Sequence, residues 1–225
     1  MKGTGEDEAR IVQKALECGA SLAGIASVAA LAASRCYANG GEIGCAVDGH
    51  SLLVLALAQG DRWPEFDWWD TQPGATPGNR CLVRIMDRVI GWLDEAEKIR
   101  SRPLPYNIET GGIFLKGAAI LSGLGVIGKN NLLITPTFGP RVRLRAILVE
   151  RELAQTGPRE FNFCESCDMA CHRECPQGAF ESGAFDRKRC GIQMRRDKLE
   201  KGTSVLEAPV KYCRVCELSC PLANT

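Results

Sequence analysis

The chain has 225 residues, 45% of them apolar, enough for one large domain or two small ones with a proper core. Its 28 basic and 27 acidic side chains leave a net charge of +1, so no global basic field points to nucleic acid. No apolar run reaches the roughly 18 residues of a membrane span, and the N-terminal MKGTGEDEARIV lacks the apolar stretch of a signal peptide. A reducing, cytoplasmic location is the expectation, with no membrane partner.

Ile11, Val12, Ala15 and Leu16 recur at helical spacing and predict a helix over 5–18, stopped by Gly19. Residues 22–28 read as a short buried strand and 28–34 as a helix. Cys36 and Cys45 flank Gly40 and Gly41 in a predicted loop, with no His or third Cys nearby to complete a site. Cys18 and Cys81 sit in helical patterns as small core residues. The continuous run SLLVLALA, Ser51–Ala58, predicts a central strand buried on both faces. Residues 60–80 hold Trp63, Phe66, Trp68 and Trp69 among Pro64, Pro73 and Pro77, and read as a long loop. Such a loop is either a lid over a flat ligand or a flap packed on the body.

Leu82, Ile85, Met86, Val89, Ile90 and Leu93 form one apolar stripe and predict a helix over 81–99. Another helix is expected over 113–124. It leads into a run containing Gly123, Gly125, Gly128, Lys129, Asn130 and Asn131, whose glycines let backbone N–H groups approach an anionic or bulky ligand. The run lacks P-loop spacing and follows a helix rather than a strand. Residues 132–135 and 142–150 read as two strands joined by the turn Pro136-Thr137-Phe138-Gly139-Pro140. Arg141, Arg143 and Arg145 alternate on one strand face, as a solvated face or an anion-binding wall. Residues 154–160 read as a linker.

Eight of the twelve cysteines lie between Cys164 and Cys220, near the C-terminal end of the chain. They read Cys164-x2-Cys167-x3-Cys171-x3-Cys175-Pro176, then Cys190, then Cys213-x2-Cys216-x3-Cys220-Pro221. Two Cys-x-x-Cys turns, each followed by a Cys-Pro, suit a chain that wraps two iron–sulfur cubanes, the Cys before Pro crossing to the other cluster. On that rule Cys164, Cys167, Cys171 and Cys220 hold one 4Fe–4S cluster, and Cys175, Cys190, Cys213 and Cys216 the second. The gap before the third Cys is three residues rather than the bacterial ferredoxin's two. Two zinc sites are the alternative, since Cys-x-x-Cys pairs also suit tetrahedral zinc, but they leave both Cys-Pro endings and the lone Cys190 without a reason.

The whole chain resembles the cobalamin-dependent iron–sulfur reductases, which comprise epoxyqueuosine reductases and, more distantly, respiratory reductive dehalogenases. LECGASLAGIASVAAL looks like the N-terminal helix–strand of epoxyqueuosine reductases. IETGGIFLKGAAILSGLGVIGKNNLLI looks like their central segment, V-D-T-x-P followed by A-G-L-G-W-I-G-K-N. TPTFGPRVRL and FNFCESCDMACHRECP look more like the dehalogenases, and Cys190 in DRKRCGIQM matches the isolated cluster ligand of the queuosine enzymes. The resemblance implies an α/β (α+β) protein. A nitroreductase-like domain over 1–153 would bind cobalamin and substrate, and a ferredoxin-like domain over 160–225 would carry two 4Fe–4S clusters.

Glu109 stands where the family has its catalytic Asp, and Val126 where it has Trp. The expected ligand sits over the glycine run, with Glu109 as proton donor and Tyr106 as the second choice. The implied activity passes electrons from the clusters to a corrinoid and on to a small-molecule substrate, with a ferredoxin or flavodoxin as low-potential donor. The C-terminal helical repeats and twin-arginine leader of relatives have no counterpart in the sequence, so tRNA is expected to be a poor ligand. An electron carrier with no substrate of its own, and a flavin in place of cobalamin, are the other readings.

Overall fold

The computed structural model describes residues 5–34, 50–60, 64–200 and 209–224. Cys36, Cys45 and Trp63 lie outside them. The chain forms two compact units. The first comprises residues 1–57, 81–126 and 143–160, and the second 58–80, 127–142 and 161–225.

The first unit is built on a four-stranded sheet. Helix α1 (Gly5–Glu17) leads into strand β1 (Leu22–Ser27), then α2 (Val28–Ala33), β2 (Ser51–Ala58) and α3 (Pro77–Glu95). A short strand β3 (Ser101–Pro103), α4 (Leu115–Leu121) and β6 (Val142–Val149) complete it, and the sheet order is β1-β2-β6-β3. The pairs β1–β2 and β3–β6 are antiparallel. The strand β2 is central and buried along nearly its whole length, as its unbroken apolar run requires. Its odd residues Leu53, Leu55 and Leu57 join Ile11 and Ala15 of α1 and the α3 stripe in one core. Each such side chain contributes about 1.5–3 kcal/mol by leaving water. Cys18 belongs to this core and Cys81 packs against it.

Helices α2 and α4 pack on β1. Close approach is possible because α4 is made of small residues where it is buried, Gly117, Ala118 and Ala119. Gly24 of β1 is also required: a Cβ there would lie 2.4 Å from the Ser122 carbonyl oxygen at the end of α4. Residues 154–160 are not a free linker. Thr156 Oγ1 accepts from Ile25 N–H at 2.8 Å and donates to Ser122 O at 2.7 Å, and the Gln155 side chain accepts from Ser27 N–H at 3.1 Å.

Three expectations are corrected. The stretch 60–80 is not all loop: a 3-10 turn covers Pro64–Asp67, and α3 starts at Pro77, where a missing N–H costs nothing in the first helical turn. Strand β3 was not foreseen; it is three residues long and ends in Pro103 at a sheet edge. Residues 132–135 and 142–150 do form strands joined by a turn, but the two strands belong to different sheets. β5 (Leu133–Ile134) pairs with β4 (Val126–Ile127) in a separate two-stranded sheet, while β6 joins the main sheet. The intervening turn closes on itself, with Thr135 and Gly139 bonded through both backbone pairs and Thr135 Oγ1 accepting from Phe138 N–H. Arg141 and Arg145 are buried rather than solvated. Among the described residues no helix is long and apolar enough to cross a membrane.

Candidate metal centres

The second unit gathers the eight C-terminal cysteines around short helices, α5 (Ala170–Arg173), α6 (Arg187–Glu200) and α7 (Val215–Leu218). Burial pushes the Cys171 thiol up, with the neighbouring thiols of Cys220, Cys167 and Cys164 adding to the effect. Cys220 is raised by burial and then by Cys164 and Cys167. Cys216 is pushed up to about 12 by burial, then by Cys213, Cys190 and Cys175. Cys190 is raised by burial, Cys213 and Cys175. The sets brought together are therefore Cys164, Cys167, Cys171 and Cys220 on one side, and Cys175, Cys190, Cys213 and Cys216 on the other. Without a cation, burial favours the thiol form of Cys171, Cys220, Cys190, Cys213 and Cys216; a bound cation would offset this.

Local hydrogen bonding fixes the sulfurs. Ala179 N–H donates to Cys175 Sγ at 3.3 Å, Val215 N–H to Cys213 and Leu222 N–H to Cys220. Such bonds favour the thiolate and raise the reduction potential of a cluster it ligates. Cys213 N–H in turn donates to Asp197 Oδ2 at 2.7 Å. Helix α5 begins after Met169, whose φ of 54° turns the chain, and Asp168 accepts from Ala170 N–H at 3.3 Å. The Arg173 guanidinium beside Asp168 holds its carboxyl below the usual range.

A cavity is walled by all four cysteines of the first set together with Lys129, Asn130 and Ile134. Among the described residues no three His, Cys, Asp or Glu side chains converge as ligands of a single ion.

Residues that the cysteine pattern does not reveal hold this unit together. Asn130, buried, donates from its amide to the Cys216 carbonyl at 3.1 Å and accepts from Leu132 N–H at 3.1 Å. His172 Nε2 meets the Lys129 carbonyl at 2.9 Å while its ring stacks on Phe180 at 4.4 Å. The Lys129-Asn130 pair is thus tied to both cysteine loops. Arg214, between Cys213 and Cys216, grips Glu217 through two nitrogens at 2.7 and 3.2 Å and Asp67 at 2.9 Å. Trp69 pairs with Val210 through two backbone bonds and meets Tyr212 edge-on at 5.6 Å. The Lys211 ammonium lies 4.0 Å from the Trp68 ring centroid. Trp68 and Trp69 are therefore part of a flap packed within the second unit. The signal for Asp197 was available in sequence, seven residues after Cys190 and so on the same helix face.

The remaining candidates stand as follows. Gly128 is buried and a Cβ there would lie 2.6 Å from Ile134, so the protein's own packing requires this glycine. Gly123, with a φ of +75°, ends α4 against Thr156 and Arg159. Gly125 is buried, Lys129 is exposed and Asn131 adopts a φ of 58°. Glu109 is exposed on a 3-10 turn, Ile108–Thr110. Tyr106 is 59% exposed, and its ring faces the buried Arg145 guanidinium at 4.7 Å.

No protein-family model matches the chain. Among curated proteins it is 30% identical over 149 residues to an epoxyqueuosine reductase of Gloeobacter violaceus, covering 64% of this chain and 46% of that protein. It is 33% identical over 115 residues to a tetrachloroethene reductive dehalogenase of Sulfurospirillum multivorans, covering 47% of this chain and 23% of that one. The chain is homologous to epoxyqueuosine reductases and reductive dehalogenases. It spans about half or less of these relatives' length. Solved structures share the fold. A Bacillus subtilis epoxyqueuosine reductase, seen with its catalytic aspartate loop swung out of the active site, superposes with a TM-score of 0.66 at 18% identity, over 97% of this chain and 66% of that one. A catabolic reductive dehalogenase superposes with a TM-score of 0.67 at 19% identity, over 96% and 31%. Another reductive dehalogenase, described with a mechanism for B12-dependent dehalogenation, covers 75% of this chain with a TM-score of 0.55.

Proposed function

We propose that this protein is a corrinoid-dependent iron–sulfur reductase that delivers electrons to a small-molecule substrate. The observation that carries the reading is the cavity walled by Cys164, Cys167, Cys171 and Cys220 together with Lys129 and Asn130. Four thiols around one space, with backbone N–H groups aimed at sulfur, fit a cubane better than a single ion. Lys129 and Asn130 belong to the glycine run that the epoxyqueuosine reductases resemble.

Cys164, Cys167, Cys171 and Cys220, and Cys175, Cys190, Cys213 and Cys216, would hold two clusters supplying single electrons at low potential, and a bound corrinoid would supply the chemistry for reductive cleavage of a carbon–heteroatom bond. The chain's own residues do the rest. The cysteines hold the metal as thiolates. Asn130 and His172 fix the Lys129-Asn130 backbone against both loops, and Lys129 offers an exposed positive charge beside the first set. Glu109, in place of the relatives' catalytic aspartate, is the proposed proton donor. It is exposed on the 3-10 turn Ile108–Thr110. The exposure of Glu109 also favours a second reading, an electron carrier with no substrate of its own.

Anaerobic reconstitution followed by iron and acid-labile sulfide assays tests the clusters, with about eight of each per chain expected from two cubanes. Stoichiometric zinc without iron removes the reading. Titration of the loaded protein with cob(II)alamin tests the corrinoid. A spectral change with mutual stabilisation supports the reductase, and its absence leaves the electron carrier.

A further inference from the structure

Helix α6 divides its two faces between different tasks. At about 100° per residue, Cys190, Gln193 and Asp197 share one side. That side is engaged: Gln193 accepts from Gln177 and donates to Asp197, each at 2.8 Å, and Asp197 accepts from Cys213 N–H at 2.7 Å. Lys188, Ile192, Arg195 and Leu199 follow at i, i+4, i+7 and i+11 and form the opposite side. It is open to solvent, with Ile192 38% and Leu199 78% exposed. No residue of α6 is buried, so the helix packs no apolar stripe into a core.

Its charge is concentrated. The helix has six basic and two acidic residues, whereas the whole chain carries only +1. Of the basic residues, Arg189 is committed to Glu181 and Asp186. Lys188, Arg195 and Arg196 make no ion pair among the described residues.

We propose that the outer side of α6 is the docking surface for an acidic one-electron carrier protein that reduces the second cluster. This rests on the reading that Cys175, Cys190, Cys213 and Cys216 hold a cluster. The balance is one electron leaving the carrier and one entering the cluster, with no bond made or broken. Three observations favour this partner. A carrier seated on this side is separated from Cys190 by one helix, about 10–12 Å across. Basic residues interleaved with Ile192 and Leu199 match the small, charged and partly apolar contacts of transient redox encounters. RNA readers stack bases on aromatic side chains, and this side carries Ile and Leu with no aromatic residue.

The test compares the cluster-loaded protein with its Lys188→Glu/Arg195→Glu double variant in stopped-flow reduction by a photoreduced acidic plant-type ferredoxin. Iron content is measured first. The wild-type second-order rate should fall as salt rises. The variant should be slower by about 10-fold or more at low salt, within the range of electrostatic steering, and should lose the salt dependence. Reduction by dithionite should be equal in both. Absence of iron in the wild type removes the cluster reading and this proposal with it. Full iron with equal ferredoxin rates overturns the docking surface alone. Equal ferredoxin rates with a charge-reversal loss of tRNA binding would assign the side to nucleic acid instead.

Discussion

The two units of this protein are held together by different forces. In the first, apolar side chains from α1, α3, β1, β2 and β6 share one core, and Leu53, Leu55, Ile11 and Val89 are wholly buried. In the segment 161–224 the buried apolar residues among those described are Ala170, Cys171, Ala179, Phe180, Val210 and Cys220. Two of these six are candidate ligands, and two more are alanines. The first unit therefore has the burial to fold on apolar contacts. The segment 161–224 has short helices, an arginine clamp and eight thiols, and metal binding at those thiols would add stability that its few buried apolar residues do not supply.

The largest effect should come from removing metal. Chelation of the loaded protein should abolish amide-exchange protection in 161–224 while β2 keeps its protection, read by hydrogen exchange with mass spectrometry. Simultaneous loss from both units would mean that they fold as one. Next comes Arg214→Met, which leaves Asp67 and Glu217 buried without their shared cation. Breaking a buried ion pair from one side costs about 3–5 kcal/mol, and here it should loosen the Cys213–Cys216 turn. Iron content and the signal of the second cluster should fall first. The mirror experiment is Ile85→Ala in α3, which should cost about 2–5 kcal/mol. That loss should appear in the denaturation midpoint of the first unit, with the cluster spectrum unchanged per folded molecule.

The same contrast governs what the sequence made legible. The α3 stripe and the uninterrupted β2 run give element and burial together, because periodicity reports directly on an apolar core. The Cys-Pro pattern led to the expectation that Cys220 crosses to the loop of Cys164 and Cys167, the thiols that raise it here. What stayed hidden are contacts that arise only between distant segments. Nothing local marks Asn130 as the residue that reaches the Cys216 carbonyl, or Asp67 as a partner of Arg214. The pair β4–β5 was missed because each strand has two residues, too few for any period. The glycines of 123–131 suggested an approaching ligand, yet Gly128 meets Ile134 of its own chain. Gly-rich sequence signals close approach without saying of what.

The smallest predicted effect lies in the segment that leaves the first unit. Thr156 is the pivot there. Its hydroxyl accepts from Ile25 N–H at 2.8 Å and donates to the Ser122 carbonyl at 2.7 Å, joining β1 to the end of α4. The same place needs Gly24, so β1, α4 and residues 154–160 meet with no room for extra atoms. Thr156→Val keeps the shape and deletes both hydrogen bonds. Two part-buried backbone groups then lose a partner, a cost of about 1–3 kcal/mol for each group left fully unsatisfied. Thr156 N–H still donates to Ile25 O at 3.0 Å, so the segment stays in register and the total should fall near the low end. The expected result is a modest drop in the first unit's denaturation midpoint with iron content unchanged. If iron were lost in step with stability, residues 154–160 would be transmitting strain to the cysteine loops, and the separation of forces between the two units would have to be abandoned.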